Sequence, residues 1–192
     1  MRRDVQRIFQ ESQVLAAQAG DRPAFERLTA YWQPRLLAHA RRLTDTSDMA
    51  RDVLQDAWVD IVRDLPRLRD PVAFPAWSYR IVTRKAAKAV SRIQRTRRTA
   101  DDLASDPGQA RVEWPVAEAR SDLARVSRAI AALPPAQRAA MGLHYLDGFS
   151  VAEIAVALGI PAGTVKTRLM HARRKIRAAL EPDREGDSDD TQ

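Results

Sequence analysis

The chain of 192 residues has no cysteine, which excludes disulfide scaffolds, thiolate zinc sites, iron–sulfur clusters and cysteine nucleophiles. Its seven glycines include no G-x-G pair, so the dinucleotide fingerprint is absent, and neither the P-loop pattern nor a G-x-S-x-G elbow occurs. His39, His144 and His171 lie far apart, and none forms H-E-x-x-H. No apolar run is long enough to cross a bilayer, and the opening MRRDVQRIFQESQ carries charge where a secretion signal needs its apolar segment. These absences fit a cytoplasmic chain with no membrane insertion, and they leave little sign of an enzyme, a catalytic residue, a cofactor or a metal. What the chain does have is positive charge. Lys and Arg number 32 against 25 Asp and Glu, a net +7 that favours an anionic partner, nucleic acid first. Hydrophobic residues, at 45%, suffice for a core, and the length allows one domain or two small ones.

Apolar spacing is helical nearly throughout, and strand-like alternation is not sustained anywhere. From Asp21, the residues Phe25, Leu28, Trp32, Leu36 and Leu43 share a face, with Pro34 inside the run expected to kink it. A second helix from about Ser47 to Leu65 buries Leu54, Trp58, Ile61 and Leu65. After Asp70-Pro71 and Phe74-Pro75, a third carries Trp77, Ile81, Ala89, Val90 and Ile93. Residues 96–115 lose the period and contain a DPG turn signal, which reads as a flexible interdomain linker. Helicity resumes near Val116 and continues past Pro134-Pro135. The polar, acidic end EPDREGDSDDTQ reads as a disordered tail. The predicted fold is all-α: an N-terminal extension (1–20), a helical domain (21–95), the linker (96–115), a second helical domain (116–180) and the tail (181–192).

Residues 149–176, FSVAEIAVALGIPAGTVKTRLMHARRKI, are the most informative stretch. Ser150 and Glu153 form a capping box, with Phe149 and Ile154 at the staple positions around it. Gly159 suits a left-handed helix end, and Pro161 suits the start of another helix. That next helix buries Val165, Leu169, Ala172, Ile176 and Leu180. Its other faces carry Thr164, Lys166, Thr167, Arg168, His171, Arg173, Arg174, Lys175 and Arg177, and no acidic residue intervenes between Glu153 and Glu181. A short capped helix, a tight turn and a basic helix describe a helix-turn-helix, whose second helix enters the major groove. An ordinary helical hairpin with a solvated basic face would explain the periodicity but not the one-sided charge.

Two further features stand in the first half. Residues 74–98 join Phe74, Trp77 and Tyr79 to Arg84, Lys85, Lys88, Arg92, Arg95, Arg97 and Arg98 without an acid among them. Aromatics stack on unpaired bases while cations hold phosphates, which suits single-stranded or melting DNA. The plainer reading makes Trp77 a core residue and the cations a solvated face. Upstream, Asp48, Asp52, Asp56, Asp60 and Asp64 repeat every fourth residue. Each like-charge pair costs the helix roughly a few tenths of a kcal/mol, so the stripe suggests a basic protein partner; the plainer reading is a solvated face. It is too linear to surround one metal ion.

Taken in order, these blocks resemble the extracytoplasmic-function (ECF) group of bacterial RNA polymerase sigma factors. DRPAFERL, ARDVLQDAWVDIV and FPAWSYRIVTRKA look like the family's region 2, and the stretch from LPPAQRAAMGLHYLDGFS to RRKIRAAL looks like region 4. The resemblance implies a sigma factor that binds core RNA polymerase and directs promoter-specific initiation. It implies polymerase binding by Asp48, Asp52, Gln55, Asp56 and Asp60. It implies −10 promoter contacts by Phe74, Trp77, Tyr79, Arg80, Arg84, Lys85, Lys88 and Arg92. The implied −35 contacts are Thr164, Lys166, Thr167, Arg168, Met170, His171, Arg173 and Arg174. Promoter DNA and core polymerase are the partners, and an anti-sigma factor is a further partner the resemblance allows. The sequence departs from the family's pattern at Arg84, where Asn is common, at Thr167, where Ser is usual, and at the Met170-His171 pair. A free-standing helix-turn-helix regulator would share the EIA…LG…TVK pattern but not the upstream blocks. A nucleic-acid enzyme would need a carboxylate cluster that the linear Asp stripe does not supply.

Overall fold

A computed structural model of the chain describes residues 2–101 and 122–181. Every regular element among them is helical: α1 (Arg2–Gln18), α2 (Arg22–Leu43), α3 (Ser47–Asp64), α4 (Phe74–Asp101), α5 (Asp122–Ala131), α6 (Pro135–Tyr145), α7 (Val151–Leu158) and α8 (Ala162–Leu180), with 3-10 turns at Leu65–Arg67 and Pro71–Ala73. The chain is all-α, as its periodicity predicts.

Local chemistry sets the helix starts. Asp21 accepts the Ala24 N–H at 2.9 Å to cap α2, with Pro23 in its first turn, where no N–H is needed. Thr46 accepts the Met49 N–H at 3.2 Å to cap α3, and Pro66 follows its end. Asp70 accepts the Val72 N–H at 2.9 Å in the turn that leads into α4. Helix α2 continues through Pro34 as one element to Leu43. Of the predicted face on α3, Leu54, Ile61 and Leu65 are buried and Trp58 is half-buried.

The N-terminal extension, for which the sequence suggested no element, forms α1 and packs along α2. Val14 is buried against the core, Arg27 donates to Gln13 Oε1 at 2.7 Å, and Gln18 Nε2 donates to the carbonyls of Leu65 and Leu68 at 2.9 and 2.7 Å. Gln18 thus ties α1 to the 3-10 turn after α3, where the Leu65 carbonyl also accepts the Leu68 N–H at 3.1 Å. Helix α4 continues to Asp101, so residues 96–101 of the expected linker are its last turns. Residues 102–121 and 182–192 lie outside the described residues, and with them the rest of the linker, the start of the second domain as predicted and all but the first residue of the tail.

Helices α1–α4 pack on one another, as do α5–α8, and the two sets also meet: α2 lies against α6, and α4 against α7. The apolar core runs without interruption across this seam, from Val14 and Leu28 through Phe74 and Tyr79 to Leu143, Phe149 and Leu169. At the seam the Tyr79 and Phe149 rings meet edge to face at 5.1 Å. There too the Arg42 guanidinium pairs with the Asp147 carboxylate at 3.0 Å, both side chains almost wholly buried.

Candidate nucleic-acid and polymerase interfaces

The capping box is present in full. Glu153 Oε2 accepts the Ser150 N–H at 2.8 Å and Ser150 Oγ accepts the Glu153 N–H at 3.3 Å, so two donors at the start of α7 are satisfied reciprocally. Phe149 and Ile154 are both buried beside it. Gly159 ends α7 at φ 66°, a left-handed conformation that glycine adopts without a Cβ penalty. Pro161 then leads into α8, which buries Val165, Leu169 and Ala172 against the rest of the C-terminal set.

This packing fixes what α8 shows to solvent. Lys166, Thr167, Met170, Arg173 and Arg174 are exposed, whereas Thr164, Arg168 and His171 are half-buried. Arg173 is drawn towards the end of α6, where its Nε donates to the Tyr145 hydroxyl at 2.8 Å. Thr167 Oγ1 donates back to the Gly163 carbonyl at 3.1 Å, which fixes its rotamer on the helix surface. Arg168 faces the seam, in a groove it shares with Thr83, Ala87 and Ser91 of α4.

Along α4 the predicted DNA-contacting residues divide. Trp77 is half-buried, and Arg80, Arg84, Lys88 and Arg92 are exposed. Phe74 and Tyr79 are core residues, 1% and 0% exposed, which corrects their assignment as base-stacking platforms. The Phe74 ring packs against Trp32 at 5.8 Å, and Tyr79 against His39 and Phe149 at 4.9 and 5.1 Å. Burial, with the nearby Asp147 carboxylate second, pushes the Tyr79 hydroxyl well above its ordinary value. His39 is likewise enclosed. Thr83 Oγ1 spends its proton on the Tyr79 carbonyl, so the His39 Nε2 at 2.9 Å must carry the hydrogen, and Nδ1 is a bare acceptor. Burial, then the Arg42 charge, lowers this histidine to about 3.

The acidic stripe of α3 also divides. Asp48, Asp52, Gln55 and Asp56 are exposed. Asp60 is buried and faces α4, where it meets Lys85 at 2.9 Å, Arg84 at 3.2 Å and Arg63 at 3.2 Å. The Lys85 hydrogen bond above all holds its carboxyl below the ordinary value, against the opposing effect of burial. Asp60 therefore ties α3 to α4 and does not point outward, which corrects its assignment to a polymerase surface. Beside the remaining stripe lies an apolar groove lined by Leu37, Leu54, Trp58, Val59 and Val62. Val59 and Val62 are exposed, at 62% and 51%. They fall outside the core row of α3, and that mismatch was the available signal for a surface role.

Among the described residues no cluster of acidic and histidine side chains could hold a metal ion, and no helix is long and apolar enough to cross a membrane.

Two packed helical modules, one ending in a helix-turn-helix, fit the sigma-70 class of transcription initiation factors, and the family models assign the chain to it. The sigma-70 region 2 model matches residues 28–96 and the sigma-70 region 4 model matches residues 123–176. The chain is 33% identical to the RNA polymerase sigma-H factor of Pseudomonas aeruginosa over 176 residues, covering 86% of this chain and 90% of that one. It is also 33% identical to the ECF RNA polymerase sigma factor SigM of Mycobacterium tuberculosis over 174 residues, covering 88% and 84%. Among solved structures it resembles CnrH in complex with the cytosolic domain of CnrY, with TM-score 0.61, 27% identity and coverage of 90% and 97%. The fold is also that of the sigma factor RpoE in complex with the anti-sigma factor NepR from Bartonella quintana, with TM-score 0.62, 24% identity and coverage of 83% and 98%. The chain belongs to the ECF group of RNA polymerase sigma factors. As a member of that group it directs RNA polymerase to promoters.

Proposed function

We propose that α3 docks on core polymerase, α4 contacts the −10 element and α8 reads the −35 element. The observation that carries this is the sorting of surface chemistry by helix. Exposed carboxylates, with Val59 and Val62 beside them, lie on α3. Exposed cations and the half-buried Trp77 lie on α4, and exposed cations with Thr167 and Met170 lie on α8. Acidic and apolar groups together suit a basic amphipathic protein partner, whereas the cationic helices suit phosphates. Trp77 is the one predicted aromatic on α4 still exposed enough to stack on an unpaired base.

On this reading the chain catalyses nothing. It acts in the cytoplasm with core polymerase as partner, and it is a target for an anti-sigma factor, as the solved relatives' complexes suggest. The domain limits we favour are residues 21–95 for the polymerase and −10 module and 116–180 for the −35 module, with α1 as an added brace on the first. The test is binding to a labelled promoter with and without core polymerase. Weak, unspecific binding by the chain alone and specific binding with core polymerase is expected. Tight, correctly placed binding by the chain alone would favour a free-standing regulator.

A further inference from the structure

We propose that Tyr145 is a positioning residue for promoter binding, whose hydroxyl aims the Arg173 guanidinium at a phosphate beside the −35 groove. This rests on the reading of α8 as the helix that enters that groove.

Lys166, Met170 and Arg173 are spaced i, i+4, i+7 and all are exposed, so they share one face of α8. Arg173 stands about 10 Å further along the helix than Lys166, which carries it away from the base edges and towards the sugar-phosphate backbone. Tyr145 meets it from the last position of α6, a helix that packs on α8. The Tyr145 side chain is an aromatic left 55% exposed, so burial in the core does not explain its place.

Arg173 Nε donates to the Tyr145 hydroxyl at 2.8 Å. The guanidinium carbon lies 5.9 Å from the ring centre, at the outer limit of a cation–π contact, so the hydroxyl holds it more than the ring face does. With the Nε–H engaged, the N–H groups on the two Nη atoms remain, and the end of that planar fork matches two oxygens of one phosphate. The hydroxyl thus leaves one approach for the anion and closes the other. It is also neutral. On α4 the buried Asp60 carboxylate pairs with Arg84 and Lys85 and offsets their charge. Among the described residues no carboxylate pairs with Arg173, so its full charge is held in place for an incoming phosphate. A side chain already held in this way gives up less freedom when it binds.

The test is promoter binding by holoenzyme assembled from core polymerase and each variant. Tyr145→Phe keeps the ring and removes the hydroxyl. It should weaken binding roughly threefold to tenfold, the net effect of one hydrogen bond. The loss should be the same for every −35 sequence, because a phosphate carries no sequence information. In an Arg173→Ala background the same substitution should cost nothing further, a result that a merely structural role for Tyr145 would not give. Arg173→Lys keeps the charge but cannot hold Tyr145 with one donor while presenting a planar pair to the phosphate. It should lose about as much as Tyr145→Phe, and it carries the test should Tyr145→Phe lose helical circular dichroism. Wild-type affinity in either single variant would overturn the assignment. So would an equal loss from Tyr145→Phe with and without Arg173. Failure of the underlying reading looks different and would overturn both: wild-type holoenzyme would then bind a promoter with a scrambled −35 element as tightly as the intact one.

Discussion

The Arg42 guanidinium meets the Asp147 carboxylate at 3.0 Å although 105 positions separate them in the chain. The pair joins the end of α2 to the turn before α7, and around it lie Tyr79, Phe149, His39 and Arg138. These groups, drawn from both sets of helices, set how the two modules pack on each other.

His39 makes this region sensitive to acid. Its ring titrates near 6.5 when unfolded and near 3 when folded. Between those values the unfolded chain binds a proton that the folded chain refuses, so stability falls as pH falls through that window. Asp60 acts further down: its carboxyl lies below 3.8 in the folded chain, so its contribution is present above that value and lost below it. Urea unfolding across the window should show the midpoint dropping towards acid, and His39→Gln, which removes the titration, should flatten the slope. An unchanged slope in His39→Gln would show that other groups set the dependence.

Phe74 separates core from DNA contact. Phe74→Ala should lower folding stability by about 3–5 kcal/mol, the usual cost of emptying a large core site. A variant with wild-type stability and defective promoter opening would return Phe74 to the DNA surface.

Helical periodicity made the all-α class, the α3 core face and the whole helix-turn-helix legible, because caps, turn glycine and apolar row are local. What escaped was long-range. Asp60 and Asp56 are indistinguishable in a stripe, and only the packing of α4 beside α3 turns one of them inward onto Lys85. Phe74 and Tyr79 look like stacking aromatics until α2 and α7 cover them. Helix α1 was missed because its apolar residues Val5, Ile8, Phe9 and Leu15 are exposed, while its buried face uses Gln13, Val14 and Ala17.

The remaining acidic stripe should bind protein. Reversing Asp52 and Asp56 to Lys should change stability by less than about 0.5 kcal/mol, since both are exposed, while weakening affinity for core polymerase. Equal affinity with unchanged circular dichroism would make the stripe a solvated face.

On α8 the expected roles differ by residue. His171→Ala should alter preference at one or two −35 positions, with a discrimination loss of roughly 1–3 kcal/mol. Arg174→Ala should weaken all −35 sequences about equally and lower the salt slope by about one. Transcription of a promoter library by each variant holoenzyme, beside a salt titration, separates them. A uniform loss from His171→Ala would place a different face of α8 against the bases.

The most direct test of the account is run-off transcription by core polymerase on a genomic library, with and without the chain. Discrete start sites that share paired −10 and −35 sequences, and that vanish when the chain is omitted, are the predicted result. Start sites unchanged by the chain, at concentrations where it saturates core polymerase, would contradict its role as a promoter-directing subunit.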